Sequence, residues 1–236
     1  MPGWPGSREI HLWQLAIDSA NDDMACCPLD AGEIARAERF AFRRDRSRYI
    51  AAHVWLRRIL GSYLELPAER IALSYGTHGK PRLAAAISDG RSPLWFNLSH
   101  SGDHALLAVA SDREIGVDIE VLRVGIAEPQ LMKSVLSAAE QQALATLPRR
   151  DVDAGFLRCW ARKEAVLKAL GCGLNLEPSE LTVGPRVGRV WIVGPGAVSV
   201  EVACIDGLAG CVAAVAAVGG FARTVCRDLP PAGERA

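Results

Sequence analysis

The stretch Gly116-Val117-Asp118-Ile119-Glu120, followed further along by Trp160-Ala161-Arg162-Lys163-Glu164-Ala165-Val166-Leu167-Lys168-Ala169-Leu170-Gly171, decides how this sequence is read. In the first piece Ile115, Val117, Ile119 and Val121 alternate with Gly116, Asp118 and Glu120, the period-two pattern of a strand. Successive strand side chains point to opposite faces, so Asp118 and Glu120 share one face while Val117 and Ile119 go to the core. The second piece is rich in Ala, Leu and Lys and reads as a helix closed by Gly171 at its C-terminal position. On it Glu164 and Lys168 are four apart and neighbours on one surface. Three carboxylates and a lysine on two rigid elements suit one hard divalent cation and one anionic substrate. A solvated strand face and an ordinary helix ion pair would use the same residues. Spacing alone does not choose between them.

The chain around this stretch has 236 residues, half of them hydrophobic, with 27 basic and 27 acidic side chains in balance. That length allows one ample core or two small domains. Zero net charge speaks against a general nucleic-acid binder. The cysteines number seven, show no Cys-x-x-Cys spacing and sit mostly in apolar surroundings. Neither a disulfide framework nor a zinc site is expected, and a reducing cytoplasm is the expected location. Cys172, between two glycines, is the one thiol singled out for a reactivity test. The first six residues have no basic start followed by an apolar run, so no signal peptide is read there. The apolar run 207–222 is rich in Gly and Ala and short for a membrane span; it reads as a buried strand pair.

In chain order, residues 10–17 read as a strand and 18–29 as a loop. Asp30 is a candidate cap for a helix over 33–42. A long amphipathic helix follows over 45–64, its apolar stripe including Ile50, Val54, Leu56, Ile59 and Leu60. The arginines from Arg36 to Arg48 make the one strongly basic region, either a solvated helix face or a phosphate clamp. Residues 71–75 read as a strand, and Gly76-Thr77-His78-Gly79-Lys80-Pro81 as a turn. Pro81 stands where a P-loop needs Ser or Thr and no helix follows, so that motif is rejected. Residues 95–98 and 105–110 read as strands of a hairpin with Ser99-His100-Ser101-Gly102 as its turn. The segment 121–136 reads as an apolar loop, either core or a surface for a partner.

Shifted by 110 positions, the chain partly matches itself: Leu60-Gly61 falls on Leu170-Gly171, Leu64-x-Leu66 on Leu174-x-Leu176, and Ile71-Ala72-Leu73 on Leu181-Thr182-Val183. Val54 and Arg58 fall on Glu164 and Lys168, so only the second half keeps the acidic residue. The expected fold is α+β: two similar α/β halves related by a pseudo-twofold axis, residues 1–112 and 113–226, with a flexible tail over 227–236. A cleft between the halves is the expected ligand site.

Phe96-Asn97-Leu98-Ser99-His100-Ser101, Gly116-Val117-Asp118-Ile119-Glu120 and Trp160-x-x-Lys163-Glu164-Ala165-x-x-Lys168-Ala169-x-Gly171, with Gly79-Lys80-Pro81 upstream, together resemble the Sfp-type 4′-phosphopantetheinyl transferases. The resemblance spans about residues 33–183. It implies transfer of the phosphopantetheine arm of coenzyme A to a serine of an apo acyl or peptidyl carrier protein, releasing adenosine 3′,5′-bisphosphate. It also implies a monomer of two similar halves with coenzyme A between them. Asp118, Glu120 and Glu164 are then the expected ligands of Mg2+, with Mn2+ a possible substitute. Lys168 and His100 are expected at the pyrophosphate, Ser99 beside the 3′-phosphate, Lys80 and Pro81 near the adenine, and Arg36 and Arg48 toward the 3′-phosphate. Glu33 stands where the family often has a basic residue, and Tyr49 where it has a small hydroxyl residue. Glu164 is the expected base, directly or through water, with Lys168 and Asp118 completing the catalytic set. Neither nucleic acid nor membrane is an expected partner. A Mg2+-dependent pyrophosphate hydrolase and a non-catalytic coenzyme A-binding protein share much of this residue set.

Overall fold

The computed structural model describes residues 2–17, 27–84, 93–172 and 176–228. β1 (Glu9–Ala16) leads to α1 (Ala31–Glu38) and α2 (Arg43–Leu64), then the short β2 (Leu73–Tyr75) and β3 (Pro81–Leu83), β4 (Trp95–Ser101) and β5 (His104–Ala110). β6 (Ile115–Val121) follows, with α3 (Pro129–Val135), α4 (Ala138–Ala145), α5 (Arg149–Leu170), β7 (Arg189–Val193), β8 (Ser199–Ile205), β9 (Cys211–Val218) and β10 (Arg223–Arg227). One sheet runs β10-β1-β5-β4, another β6-β9-β8-β7, and β2 and β3 form a small hairpin. The chain is a mixed α/β protein. No described helix is long and apolar enough to cross a membrane.

Strand alternation builds the layers. Trp13 and Leu15 of β1 and Ala105, Leu107 and Val109 of β5 pack against Leu56, Ile59 and Leu60 of α2. Their neighbours Ile10, Leu12, Leu106 and Ala108 turn the other way, onto Ile115, Val117 and Ile119 of β6 and Val215 of β9. Ala214 and Ala216 then face α5 through Ala165, Val166 and Ala169. The order is helix, sheet, sheet, helix, with the central strands β1, β5 and β9 apolar on both faces. Gly116 lies on the α5 face of β6, where an added Cβ would meet the Ala165 carbonyl and Ala169 amide. Backbone meets backbone there, which draws α5 onto β6.

Asp30 caps α1 with Glu33 in a capping box, and Gly171 ends α5 in the left-handed region at φ 66°. Both match the expectation. Four readings change. β4 runs through Ser99, His100 and Ser101, because these residues pair with Leu106, Ala105 and His104 of β5; the hairpin turns at Gly102 and Asp103. The run 207–222 holds one strand, β9, whose partners β6 and β8 come from elsewhere. The segment 121–136 contains α3, since Pro129 at the first helical turn starts a helix. β10 pairs parallel with β1, so the end of the second half joins the first half's sheet. The expected tail lies, from residue 229 on, outside the described residues, as does most of the loop at 18–29.

Candidate functional site

β4 and β6 are the edges along which the two sheets meet. Alternate residues of β4 bind β6 across this seam: Asn97 Oδ1 accepts the Val117 amide at 2.7 Å, Ser99 Oγ donates to Asp118 Oδ1 at 2.8 Å, and Ser101 Oγ donates to Glu120 Oε2 at 2.9 Å. The spacing of two from Ser99 to Ser101 and from Asp118 to Glu120 makes the two side-chain contacts possible.

On the α5 side Lys168 Nζ lies 2.6 Å from Asp118 Oδ1 and donates to Ser99 Oγ at 3.0 Å and the Val117 carbonyl at 3.2 Å. Asp118 is buried, and its Oδ2 has no hydrogen-bond partner. Burial pushes the Asp118 carboxyl up to about 6, against the Lys168 charge and the Ser99 and Lys168 hydrogen bonds; Glu120 adds to the rise. Glu164 is also raised, chiefly by burial; Lys168 opposes and Glu120 reinforces the shift. Asp118, Glu120, Glu164 and Lys168 therefore share one electrostatic neighbourhood, as their spacing suggested. Among the described residues no three His, Cys, Asp or Glu side chains form a ready-made metal cage. The donor chemistry nevertheless fits a hard divalent cation: three carboxylates, one with a buried oxygen lacking any partner.

The first half contributes unevenly. His100 lies on the face of β4 shared by Phe96 and Leu98, toward α2, while Ser99 and Ser101 face β6. Desolvation holds His100 below its ordinary value, and the positive groups His53, Lys168 and Arg48 act the same way. Arg48 is held by Asp103, with Nε at 2.9 Å and Nη2 at 2.7 Å from Oδ1. Arg36 is exposed, its guanidinium 5.8 Å from the Tyr49 ring centroid. Lys80 donates to Glu114 Oε2 at 2.5 Å and to the Ile115 carbonyl at 3.0 Å, and Pro81 pairs with Tyr75 in the β2–β3 hairpin. Lys80 thus reaches the start of β6 rather than the Ser99–Lys168 cluster. Glu33 is fully internal, bound by Arg57 at 2.6 Å and His53 at 2.7 Å.

Two neighbours of the cluster went unread in the sequence. Trp160 Nε1 donates to Glu120 Oε1 at 3.0 Å, and Ser101 holds the other oxygen. The signal was present: Trp160 precedes Glu164 by four residues, and Ser101 stands two residues after Ser99. Lys163, beside Glu164 in sequence, is fully buried in an ion pair with Glu140 at 2.6 Å.

Comparison with known proteins adds an independent finding. Residues 114–197 match the family model for the 4′-phosphopantetheinyl transferase superfamily, and residues 13–112 match one described as 4′-phosphopantetheinyl transferase, N-terminal. The chain is 37% identical over 216 residues to the 4′-phosphopantetheinyl transferase HetI of Nostoc sp., covering 90% of this chain and 89% of that protein. It is 39% identical over 127 residues to the 4′-phosphopantetheinyl transferase AcpT of Salmonella typhi, covering 53% and 59%. It is 30% identical over 175 residues to the L-aminoadipate-semialdehyde dehydrogenase-phosphopantetheinyl transferase of Homo sapiens, covering 72% and 54%.

Proposed function

The chain belongs to the 4′-phosphopantetheinyl transferase superfamily and is a phosphopantetheinyl transferase; on that premise we propose that coenzyme A is the donor, a serine of an apo acyl or peptidyl carrier protein the acceptor, and adenosine 3′,5′-bisphosphate the product. The observation that carries this reading is the junction of Lys168, Ser99 and Asp118, beside Glu120 and Glu164, where two sheet edges meet. It joins a hydroxyl of the first half, Ser99, to the lysine and carboxylates of the second at the seam between the sheets.

Asp118, Glu120 and Glu164 would hold Mg2+, or Mn2+ in its place, and the cation would supply neutralisation of charge on the phosphate oxygens. Lys168 would exchange its contact with Asp118 for a phosphate oxygen, which leaves Oδ1 with the Ser99 hydrogen bond and Oδ2 open to a hard partner. His100, on the α2 side of β4 beside His53 and Arg48, is the proposed second contact of the pyrophosphate, with Lys168 the first. Glu164, raised above its ordinary value by burial, takes the proton of the attacking serine. The oxygen of that serine forms the new bond to phosphorus as the bond to the departing nucleotide phosphate breaks. The leaving group is already a phosphate anion, so positioning and charge compensation supply most of the rate.

Leu122 and Val124, between β6 and α3, and Leu131, on α3, are exposed apolar side chains next to this cluster in the chain. They form the docking surface for the carrier. The protein acts as a monomer in the cytoplasm.

The two halves relate by a pseudo-twofold axis. Asp30 and Glu33 cap α1 as Ser137 and Glu140 cap α4. Arg57 binds Glu33 and the Ile71 carbonyl, while Lys163 binds Glu140 and the Leu181 carbonyl. The strand orders β1-β5-β4 and β6-β9-β8 correspond in the same way.

Intact-mass analysis of an apo carrier incubated with this protein, coenzyme A and Mg2+ tests the reading. One phosphopantetheine gained, and lost with Glu164→Gln, supports it. Free phosphopantetheine without carrier modification favours a hydrolase. Tight coenzyme A binding with neither product favours a binding protein.

A further inference from the structure

Glu120 is held from two elements at once. Trp160 Nε1, on α5, donates to Oε1 at 3.0 Å, and Ser101 Oγ, at the end of β4, donates to Oε2 at 2.9 Å. Arg123, on a side chain 57% exposed, lies 3.5 Å from Oε2 and contributes little. Ser101 Oγ also accepts the Val121 amide at 3.2 Å. A hydroxyl has one proton to give, and this arrangement commits it to Glu120 while β6 itself orients the oxygen.

Two donors on separate elements fix both the plane of the carboxylate and its rotation, where a free glutamate would populate several rotamers. Each donor takes one lone pair, so both oxygens retain acceptor capacity. Asp118 is fixed differently: both donors, Ser99 and Lys168, fall on Oδ1, and Oδ2 has none. The two carboxylates are thus presented in distinct ways by matching positions of β4, Ser99 and Ser101.

We propose that Ser101 and Trp160 are positioning residues that aim the Glu120 carboxylate at the divalent cation. Neither touches the cation or the reacting atoms. The inference rests on the reading of Asp118, Glu120 and Glu164 as cation ligands. Partners that orient metal-ligating carboxylates generally matter for affinity about as strongly as this geometry suggests, roughly 10-fold or more on removal.

The test titrates the full chain with Mn2+ in the presence of coenzyme A, counting free Mn2+ by electron paramagnetic resonance. Ser101→Ala and Trp160→Phe should each weaken Mn2+ binding by roughly 10-fold, and Ser101→Thr, which keeps the hydroxyl, should stay near wild type. Coenzyme A affinity without metal should hold in all three, and excess Mn2+ should restore turnover, which a merely structural role would not produce. If Ser101→Ala fails to fold, Trp160→Phe carries the test alone. Wild-type Mn2+ binding with unchanged affinity in the folded variants overturns this inference. A wild-type chain that binds coenzyme A but no Mn2+ overturns the cation reading beneath it.

Discussion

Lys168 Nζ lies 2.6 Å from Asp118 Oδ1, and this ion pair ties α5 to β6 at the seam between the two sheets. Asp118 is the more deeply buried partner, with side-chain exposure of 7% against 27% for Lys168. Removing the lysine strands a carboxylate away from water, a cost larger than the pair's net value. Lys168→Gln should lower stability by about 1–3 kcal/mol, and adding Asp118→Asn should restore part of it. Urea denaturation of the single and double variants measures this. Neither variant should modify a carrier.

Lys163 and Glu164 are adjacent yet take opposite roles. Lys163 Nζ is buried against Glu140 and the carbonyls of Val135, Pro178 and Leu181. Lys163→Met breaks a buried pair and should cost roughly 3–5 kcal/mol in denaturant unfolding. Activity per folded molecule should survive it at low temperature, whereas Glu164→Gln should abolish activity with little change in stability.

Gly116 sits where β6 and α5 touch through backbone atoms. Gly116→Ala has no flexible side chain to push aside, since the added Cβ meets Ala165 and Ala169 backbone. It should destabilise by about 1–3 kcal/mol or more and lower kcat, because α5 carries Glu164 and Lys168. Unfolding curves alongside single-turnover carrier modification would check both.

The buried His11 makes a contribution to stability that is lost in mild acid. His11 is fully buried, with Nδ1 2.6 Å from Tyr63 Oη and Nε2 2.7 Å from Glu9 Oε1. Desolvation pulls its pKa below the ordinary 6.5 despite the Glu9 hydrogen bond, and Arg227 and Arg223 add to the fall. The unfolded chain then takes up the proton first, so this stability is fully present above the ordinary value and declines as pH drops through it. Glu9, held below 4.5 first by its His11 and then its Arg223 hydrogen bond, extends the loss to lower pH. Tyr63, pushed up to about 12 by burial, stays protonated throughout. Asp118, raised to about 6, and Glu164, also raised, gain stability as pH falls over the same range. The His11 contribution is therefore read as a difference: from pH ~8 to ~5.5 the thermal midpoint of the wild type should fall relative to that of His11→Gln.

Leu131→Asp tests the docking surface. A charge on this exposed position of α3 should raise KM for the carrier roughly 10-fold or more, as expected for an apolar anchor, and leave KM for coenzyme A and the melting temperature near wild type. An unchanged carrier KM would remove α3 from the interface.

What was legible from sequence rests on short-range geometry. The alternation from Ile115 to Val121 set which side chains share the α5 face, and the Asp30 box and Gly171 set helix ends. These depend on residues two to four apart, whose relative directions the backbone fixes locally. The offset of Glu164 and Lys168 on one helix face belongs to the same class.

Only tertiary structure decided which edges meet. Ser99 and His100 are neighbours in sequence, but β4's pairing with β5 sends the hydroxyl to Asp118 and the imidazole toward α2. Lys163 and Glu164 divide in the same way, one taken by Glu140 and carbonyls distant in sequence, the other left at the seam. Trp160 and Ser101 reach Glu120 from two elements, and β10 returns to pair with β1. Such outcomes follow from burying both faces of two sheets and satisfying their polar edges together. That condition involves residues tens to hundreds of positions apart, so no local period records it.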